Sequence, residues 1–271
     1  ETRMLTVEEI GRLVPALNLG RDVNMPVVGG YFHPPCGTAR HDAVVWGLAR
    51  VADRLGVDIC PGLEVKGIIV KNDRVEGVRT DKGDVSARLV LNAAGGWSAE
   101  VACLAGVRLP VTILPLQAMV TEPIKPFLKV VLVSEFYFVY LHQTLKGEVV
   151  TGSHMDPYQS YVMDSNYDFV SHQAACLLEL FPDLERVKLM RQWSGLTDMT
   201  PDHAPIMGPS PVEGFYLDVG WGYFGFKSGA VAGRLMAEYL ATGKRPALIS
   251  ALGLERFSSG RLIQENVLAQ T

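Results

Sequence analysis

The stretch Phe215-Tyr-Leu-Asp-Val-Gly-Trp-Gly-Tyr-Phe-Gly-Phe-Lys-Ser-Gly-Ala-Val-Ala-Gly233 decides the fold, because it predicts a strand, a sharp turn and a helix in direct succession. Glycines at 220, 222, 225 and 229 let the backbone turn sharply and approach a ligand closely. The first turn of the predicted helix presents unpaired N–H groups and a partial positive charge. Such a helix end suits a group that carries negative charge, such as the N1/C2=O edge of a reduced isoalloxazine.

Two further features of the sequence bear on this turn. Lys227 lies within it, so its ammonium is expected to face the same ligand. A glycine-rich turn that only joins two elements, with a solvated lysine, is the competing interpretation of these residues alone. A second turn of small residues, Asn92-Ala-Ala-Gly-Gly-Trp97, follows a predicted strand and also permits close approach by a cofactor.

Composition limits the class of protein. The chain has 271 residues, of which 48% are hydrophobic and 20% charged, which favours a large core and two domains. A net charge of −4 without a basic tract argues against nucleic acid, and no apolar run reaches the roughly 20 residues of a membrane span. Four cysteines without CxxC spacing favour reduced thiols in a soluble, cytoplasmic protein. Cys103 and Cys176 are predicted to lie in the core.

Hydrophobic periodicity predicts helices and two sheets. The predicted helices are Thr6 to Leu17, with Thr6 as N-cap and Glu9 completing a capping box at the surface, Asp42 to Leu55, Ser98 to Ala105, and Tyr167 to Leu180. An antiparallel meander is predicted from Leu63 to Val70, Val75 to Thr80 and Val85 to Leu91, and a second sheet between Val111 and Gly152.

One motif is missing from the sequence. A dinucleotide-binding protein normally carries G-x-G-x-x-G between a strand and a helix, with an acidic residue about 20 positions later. The nearest stretch, Val27-Val-Gly-Gly-Tyr-Phe32, leads into His33-Pro-Pro, which cannot continue a helix.

Several motifs together resemble the β subunits of heterotetrameric sarcosine oxidases, in the D-amino-acid-oxidase-like flavoprotein superfamily. The resemblance runs from Leu5 to the end and is carried by Gly37-Thr-Ala-Arg-His-Asp42, Leu91-Asn-Ala-Ala-Gly-Gly-Trp97, Pro115-Leu-Gln-Ala-Met-Val-Thr-Glu-Pro123, Trp193-Ser-Gly-Leu-Thr-Asp-Met-Thr-Pro-Asp202, Ala204-Pro-Ile-Met-Gly208, Asp218-Val-Gly-Trp-Gly222 and Gly225-Phe-Lys227. The missing glycine fingerprint departs from the family, and we expect this chain alone to bind FAD weakly.

The resemblance implies an α/β (mixed α+β) fold with two domains. Residues 34–110 and 196–271 would form an incomplete Rossmann-like FAD-binding domain, and residues 1–33 and 111–195 a substrate domain with a mixed or antiparallel sheet. The implied reaction is oxidation of a secondary amine, sarcosine to glycine, with FAD as hydride acceptor, FMN as relay and oxygen reduced to hydrogen peroxide. The implied partners are the other subunits of a cytoplasmic heterotetramer, one of which would bind tetrahydrofolate.

The resemblance also implies site residues. His41 matches the histidine that carries covalent FMN, with Arg40 beside it to balance flavin or phosphate charge. Lys227 matches a lysine close to the flavin that is tied to the oxygen reaction, which makes it the candidate catalytic residue. The residues expected to bind FAD are Ala94, Gly95, Gly96, Trp97, Gly220, Gly222, Gly225, Phe226 and Lys227.

Other interpretations remain open on the sequence. His33, Cys36 and His41 form a weak zinc motif without a fourth ligand, so no metal is expected. Tyr137, Tyr140 and His142 either line a substrate pocket or only pack. The alternatives in function are an amine dehydrogenase acting on proline, dimethylglycine or an opine, and a non-catalytic truncated subunit that only docks partners.

Overall fold

The computed structural model describes residues 1–20 and 23–263, which divide into two compact units. The first unit combines Glu1–Arg40, Pro115–Tyr158 and Val162–Gly195, and the second combines His41–Leu114, Gln159–Tyr161 and the described residues from Leu196 onward. The helices are α1 (Val7–Leu13), α2 (His41–Arg54), α3 (Ser98–Cys103), α4 (Tyr167–Leu180), α5 (Gly225–Thr242) and α6 (Glu255–Ser259). The strands are β1 (Arg3–Leu5), β2 (Gly30–Phe32), β3 (Val65–Lys71), β4 (Arg74–Thr80), β5 (Gly83–Ser86), β6 (Val90–Asn92), β7 (Thr112–Thr121), β8 (Leu132–Ser134), β9 (Val139–Gln143), β10 (Val149–Met155), β11 (Leu189–Met199), β12 (Ile206–Pro209) and β13 (Phe215–Val219).

The first unit is built around a sheet with the strand order β11-β7-β10-β9-β8. The pairs β7/β10, β10/β9 and β9/β8 are antiparallel, which confirms the sheet predicted between Val111 and Gly152. One face of this sheet packs against α4, where Leu141 and Val149 join Phe169 and Leu177 in a buried cluster. The predicted bounds of α4 are confirmed, whereas β11 was not predicted.

The capping box of α1 is confirmed. Thr6 Oγ1 accepts a hydrogen bond from Glu9 N at 3.3 Å, and Glu9 Oε2 accepts one from Thr6 N at 2.9 Å. The predicted length of this helix is wrong. Val14 leaves the helical conformation directly before Pro15, and Ile10 and Val14 pack into the core of the first unit.

The second unit contains two three-stranded sheets, with the strand orders β3-β4-β5 and β12-β13-β6. The first is antiparallel and confirms the predicted meander. Its last strand was predicted wrongly, because β5 ends at Ser86 and the residues that follow change sheets. Val90 N donates to Gly214 O at 2.9 Å, and β6 then runs parallel to β13 with Val90 opposite Phe215. This parallel pair sets the position of the candidate site.

The two predictions about cysteine burial have different outcomes. Cys176 is buried as predicted, whereas Cys103 is exposed, because α3 turns Ala102 into the core instead. The helix predicted from Asp42 is present as α2, but none of its side chains is buried among the described residues. No helix within residues 1–20 and 23–263 is long and apolar enough to cross a bilayer.

Candidate functional site

Two glycine turns leave the same edge of the β12-β13-β6 sheet. β6 and β13 run parallel with Asn92 opposite Leu217, so their carboxyl ends lie side by side. The segment 93–97 follows β6, and the segment 220–224 follows β13 and leads into α5. In open α/β sheets, ligands bind outside the carboxyl ends of the strands. The structure therefore brings together the two turns that the sequence indicated separately.

The turn after β13 is held tightly by the protein. Gly220 and Gly222 have φ angles of 74° and 53°, which a residue with a Cβ rarely adopts. A Cβ on Gly220 would lie 2.6 Å from Thr200 Cγ2, and one on Gly222 2.7 Å from Met199 Sδ. The close approach that these two glycines permit is therefore to the neighbouring chain segment.

Asp198 stabilises the turn after β13 through its carboxylate. Its Oδ2 accepts a hydrogen bond from Gly220 N at 2.6 Å, and its Oδ1 accepts one from Gly222 N at 3.1 Å. The side chain is buried, and this burial raises the pKa of its carboxyl although the N–H bonds oppose the rise. Both oxygens of the Asp198 carboxylate thus accept hydrogen bonds from backbone amides of this turn. Its contacts show that it organises the turn.

Asp218 adds a second carboxyl to the same turn. Its Oδ1 accepts a hydrogen bond from Trp221 Nε1 at 2.7 Å. Burial raises the pKa of the Asp218 carboxyl, and the negative charge of Asp198 raises it further, while the bond from Trp221 lowers it. The amides of Gly220 and Gly222 are already bonded, so the N–H groups offered to a ligand belong to the first turn of α5.

The N-terminus of α5 carries the partial positive charge of a helix end. The helix runs for 18 residues, no side chain caps it, and its first turn holds no acidic residue. Its first three residues are Gly225, Phe226 and Lys227, and the last two are exposed. Lys227 Nζ lies 4.7 Å from the centroid of the Phe224 ring. A helix end and an ammonium together favour an anionic ligand.

The turn after β6 is organised by Asn92, which the sequence analysis had not singled out. Its Oδ1 accepts a hydrogen bond from Ala94 N at 3.1 Å, and its Nδ2 donates one to Ser98 O at 2.8 Å. The signal in the sequence was an asparagine directly before small residues, which is typical of a turn stabilised by its side chain.

The predicted residues of this turn differ in their surroundings. Gly96 is buried, and a Cβ there would lie 2.5 Å from Leu196 Cβ. Gly95 has a φ of 53°. A Cβ placed on Gly95, or on Gly229 in α5, would meet no described atom within 4 Å. Trp97 is 46% exposed. Gly95 and Trp97 thus border open space, whereas Gly96 serves packing.

Among the described residues, no hydrogen bond joins His41 to either of the two turns. It is the first residue of α2 and is exposed, as is the preceding Arg40. The same helix exposes a run of apolar side chains, among them Val45 at 58% and Trp46 at 66%. The structure therefore places the predicted FMN residue on an exposed apolar helix.

The three residues considered for a substrate pocket separate. Tyr140 and His142 alternate along β9 with buried Val139 and Leu141, so they share the face that does not pack on α4. Burial raises the pKa of Tyr140 and lowers the pKa of His142. Tyr137 instead packs against the core, and burial together with its hydrogen bond to Glu179 raises its pKa to about 12.

The weak zinc motif does not gain a ligand set. His33 Nδ1 forms a 2.8 Å hydrogen bond with Thr2 Oγ1, and Cys36 is exposed. Among the described residues, no group of three or more His, Cys, Asp or Glu side chains is arranged to hold a metal ion.

Comparisons with known proteins give consistent matches. The sequence profile of the FAD dependent oxidoreductase family matches residues 1–239. The sarcosine oxidase β subunit of Rhodobacter capsulatus is 39% identical over 269 residues, covering 99% of this chain and 64% of that protein. The β subunit from Arthrobacter sp is 38% identical over 266 residues, covering 98% and 66%. The chain thus spans slightly less than two thirds of these relatives.

A solved structure matches nearly the whole chain. The crystal structure of L-proline dehydrogenase from P. horikoshii has a TM-score of 0.89 and 26% sequence identity, covering 97% of this chain and 70% of that protein. The mixed helix and sheet architecture predicted from the sequence is therefore confirmed.

Proposed function

Because this chain belongs to the FAD dependent oxidoreductase family, we propose that it forms part of a flavoenzyme that oxidises a secondary amine, with sarcosine as the first candidate. The proposal depends mainly on one observation. Two glycine turns and the uncapped N-terminus of an 18-residue helix emerge at the carboxyl edge of one parallel strand pair. The similarity to two sarcosine oxidase β subunits supports the choice of substrate.

The residues present at this edge fit FAD. Gly95 and Gly229 border open space, and the first turn of α5 offers N–H groups without a competing carboxylate. In this proposal Ala94, Gly95, Trp97, Gly225, Phe226 and Lys227 contact FAD, whereas Gly96, Gly220 and Gly222 shape the two turns that present these residues. The second unit is then the FAD-binding domain, and the first unit is the substrate domain.

The proposed reaction balances as a two-electron oxidation. FAD bound at this edge would supply the two-electron acceptor for the hydride of the N-methyl carbon, and its reduced ring would carry negative charge. The amine nitrogen loses a proton, water hydrolyses the resulting imine to glycine and formaldehyde, and oxygen takes up the two electrons and two protons as hydrogen peroxide. Lys227 and the end of α5 stabilise the negative charge, since fixed positive groups act most strongly where charge develops.

His41 is the proposed attachment point of FMN. Its imidazole is exposed, and among the described residues it carries no hydrogen bond that would occupy a ring nitrogen. Arg40 precedes it and supplies a positive charge for a phosphate. The exposed apolar side chains of α2 fit contact with other parts of a hetero-oligomeric, cytoplasmic enzyme in which FMN relays electrons. Tetrahydrofolate would bind a partner subunit.

The sheet face that bears Tyr140 and His142 is the proposed substrate surface of the first unit. Both side chains are half-buried, and the lowered pKa of His142 favours a neutral imidazole near neutral pH. A neutral ring avoids repulsion of a cationic amine. This face is therefore suited to the apolar and polar parts of a small amino acid.

An amine dehydrogenase is the second candidate. It is favoured by the TM-score of 0.89 to the proline dehydrogenase of P. horikoshii. The two candidates differ in the electron acceptor. Rapid peroxide formation with sarcosine supports the oxidase, whereas proline oxidation with a dye but not with oxygen supports the dehydrogenase.

The test is a spectrum of the purified enzyme complex that contains this chain, recorded before and after acid precipitation. We expect a yellow protein that releases FAD into the supernatant and keeps FMN in the pellet. His41→Ala should release both flavins or lack FMN, while His33→Ala, the matched control, should keep it. A colourless complex would refute the proposal, and covalent flavin in His41→Ala would move the attachment to another residue.

A further inference from the structure

Two aromatic rings stand directly before α5. The Tyr223 and Phe224 rings lie with their centroids 4.3 Å apart and their planes tilted by 48°. Lys227, three residues after Phe224, places its Nζ 4.7 Å from the centroid of the Phe224 ring. This distance lies within the range of about 6 Å in which a ring face attracts a cation.

We propose that Phe224 is a positioning residue that holds the Lys227 ammonium at the flavin edge, an inference that rests on the proposed function. Lysine has a long flexible side chain, and on an exposed helix end it would otherwise sample many conformers. The ring face restricts this sampling. No carboxylate forms an ion pair with Lys227 within residues 1–20 and 23–263, so Phe224 is its observed partner there.

The chemistry of this partner matters because it is neutral. A carboxylate would hold the ammonium equally well but would cancel its charge and offset the positive end of α5. An aromatic face attracts the cation through its quadrupole and adds no net charge. The lysine is therefore held while its full charge stays available to an anionic ligand, which suits the delocalised edge of a reduced flavin.

The position of Phe224 is itself fixed by the turn. Its backbone N donates to Trp221 O at 3.1 Å, and Trp221 Nε1 donates to Asp218 Oδ1 at 2.7 Å. Gly222, between them, is bonded to Asp198 Oδ1 at 3.1 Å. The carboxylates of Asp218 and Asp198 thus fix the turn that positions the Phe224 ring, and the ring in turn restricts the Lys227 side chain.

The experiment compares Phe224→Leu, Phe224→Tyr and Lys227→Met in the holoenzyme, with Phe136→Leu as a control for loss of an exposed phenylalanine. The readouts are the reduction potential of the bound FAD and the rate constant of its anaerobic reduction by sarcosine. We expect Phe224→Leu to lower the potential and to slow reduction by about 2- to 5-fold, the value of a cation–π contact at an exposed site. Phe224→Tyr keeps a ring face, so its reduction potential and its rate constant of reduction should match those of the wild type.

The outcomes separate this inference from the proposed function. If Lys227→Met lowers the potential but Phe224→Leu matches the wild type, the positioning role is refuted and the flavin site stands. If Lys227→Met also leaves the potential unchanged, Lys227 does not face the flavin and both proposals fail at this turn. If Phe224→Leu does not retain FAD, Phe224→Met replaces it, with the same expectations.

Discussion

Replacing Asp202 by asparagine should destabilise the second unit more than any exposed charge replacement, because Asp202 forms a buried ion pair with Arg256 of α6. Arg256 Nε and Nη2 donate to the two carboxylate oxygens at 2.7 and 2.9 Å. The side chains are 3% and 2% exposed. The guanidinium also donates to Ala204 O at 2.7 Å, and Ile263 N donates to Asp202 Oδ2 at 3.0 Å. Both charges are therefore fully bonded.

The magnitude follows from the pKa of Asp202. Burial raises this pKa, but the hydrogen bonds and charge of Arg256 outweigh burial and hold it at about 2, below the ordinary 3.8. A lowered carboxyl pKa stabilises the fold above the unfolded value, and that stability is lost as pH falls from about 4 towards about 2. The difference is worth about 2 kcal/mol. Removing one partner of a buried pair costs more, about 3–5 kcal/mol, because the other charge is stranded.

The assay is urea unfolding of the holoenzyme at pH 7. Asp202→Asn should lower the free energy of unfolding by about 3 kcal/mol or more. Glu255→Gln is the matched control on α6: its partner Arg245 lies at 2.8 Å, but its side chain is 61% exposed, so the loss should stay below about 1 kcal/mol. Equal losses in the two variants would refute the argument from burial.

Three further predictions concern the turn and the first unit. Asp198→Asn should lower the free energy of unfolding by about 1.5–3 kcal/mol and weaken FAD retention on dialysis, because the Gly220 and Gly222 amides lose a charged acceptor. Asp218→Asn removes a single bond to Trp221 and should retain more FAD. Equal retention in the two variants would contradict the role of Asp198. Tyr137→Phe should lower the free energy of unfolding by about 1 kcal/mol or more, since Glu179 loses the Tyr137 hydroxyl, and an unchanged urea midpoint would count against that bond. Because burial lowers the pKa of His142, the folded state binds a proton at this ring less readily than the unfolded chain does. The free energy of unfolding should therefore rise with pH up to about 6.5, and His142→Gln should reduce this rise in thermal melting experiments. An unaltered pH dependence would show that His142 is solvated.

Features set by neighbours along the chain could be predicted from the sequence. The capping box at Thr6 and Glu9 depends on three-residue spacing, and the strand, turn and helix from Phe215 depend on glycine conformations and local periodicity. The helix Tyr167–Leu180 has Asn166 as its N-cap and Pro182 shortly after its end, both local signals. Each of these elements is present in the structure.

Features set by distant partners could not be predicted in the same way. Val90 pairs with Phe215, far along the chain, instead of continuing the meander. No local sequence signal predicts this change of sheet. Tyr137 and Tyr140 look alike in sequence, but Tyr137 lies in the turn before β9 and bonds Glu179 on α4, whereas Tyr140 lies within β9. The sequence pattern also predicted that the turn glycines approach a ligand closely, whereas Thr200 and Met199 occupy the space beside Gly220 and Gly222.

Anaerobic stopped-flow reduction of the holoenzyme by sarcosine tests the central claim most directly, because it observes electron transfer at the proposed edge. The wild-type flavin absorbance should bleach on mixing and return when oxygen is added. Lys227→Met should slow this return by about 10²- to 10³-fold, the usual loss for one preorganised electrostatic group, and should slow the bleaching less. Lys244→Met, beyond the far end of α5, should show the wild-type rates of bleaching and return. Equal rates of return in Lys227→Met and the wild type, or no bleaching by sarcosine at all, would contradict the account.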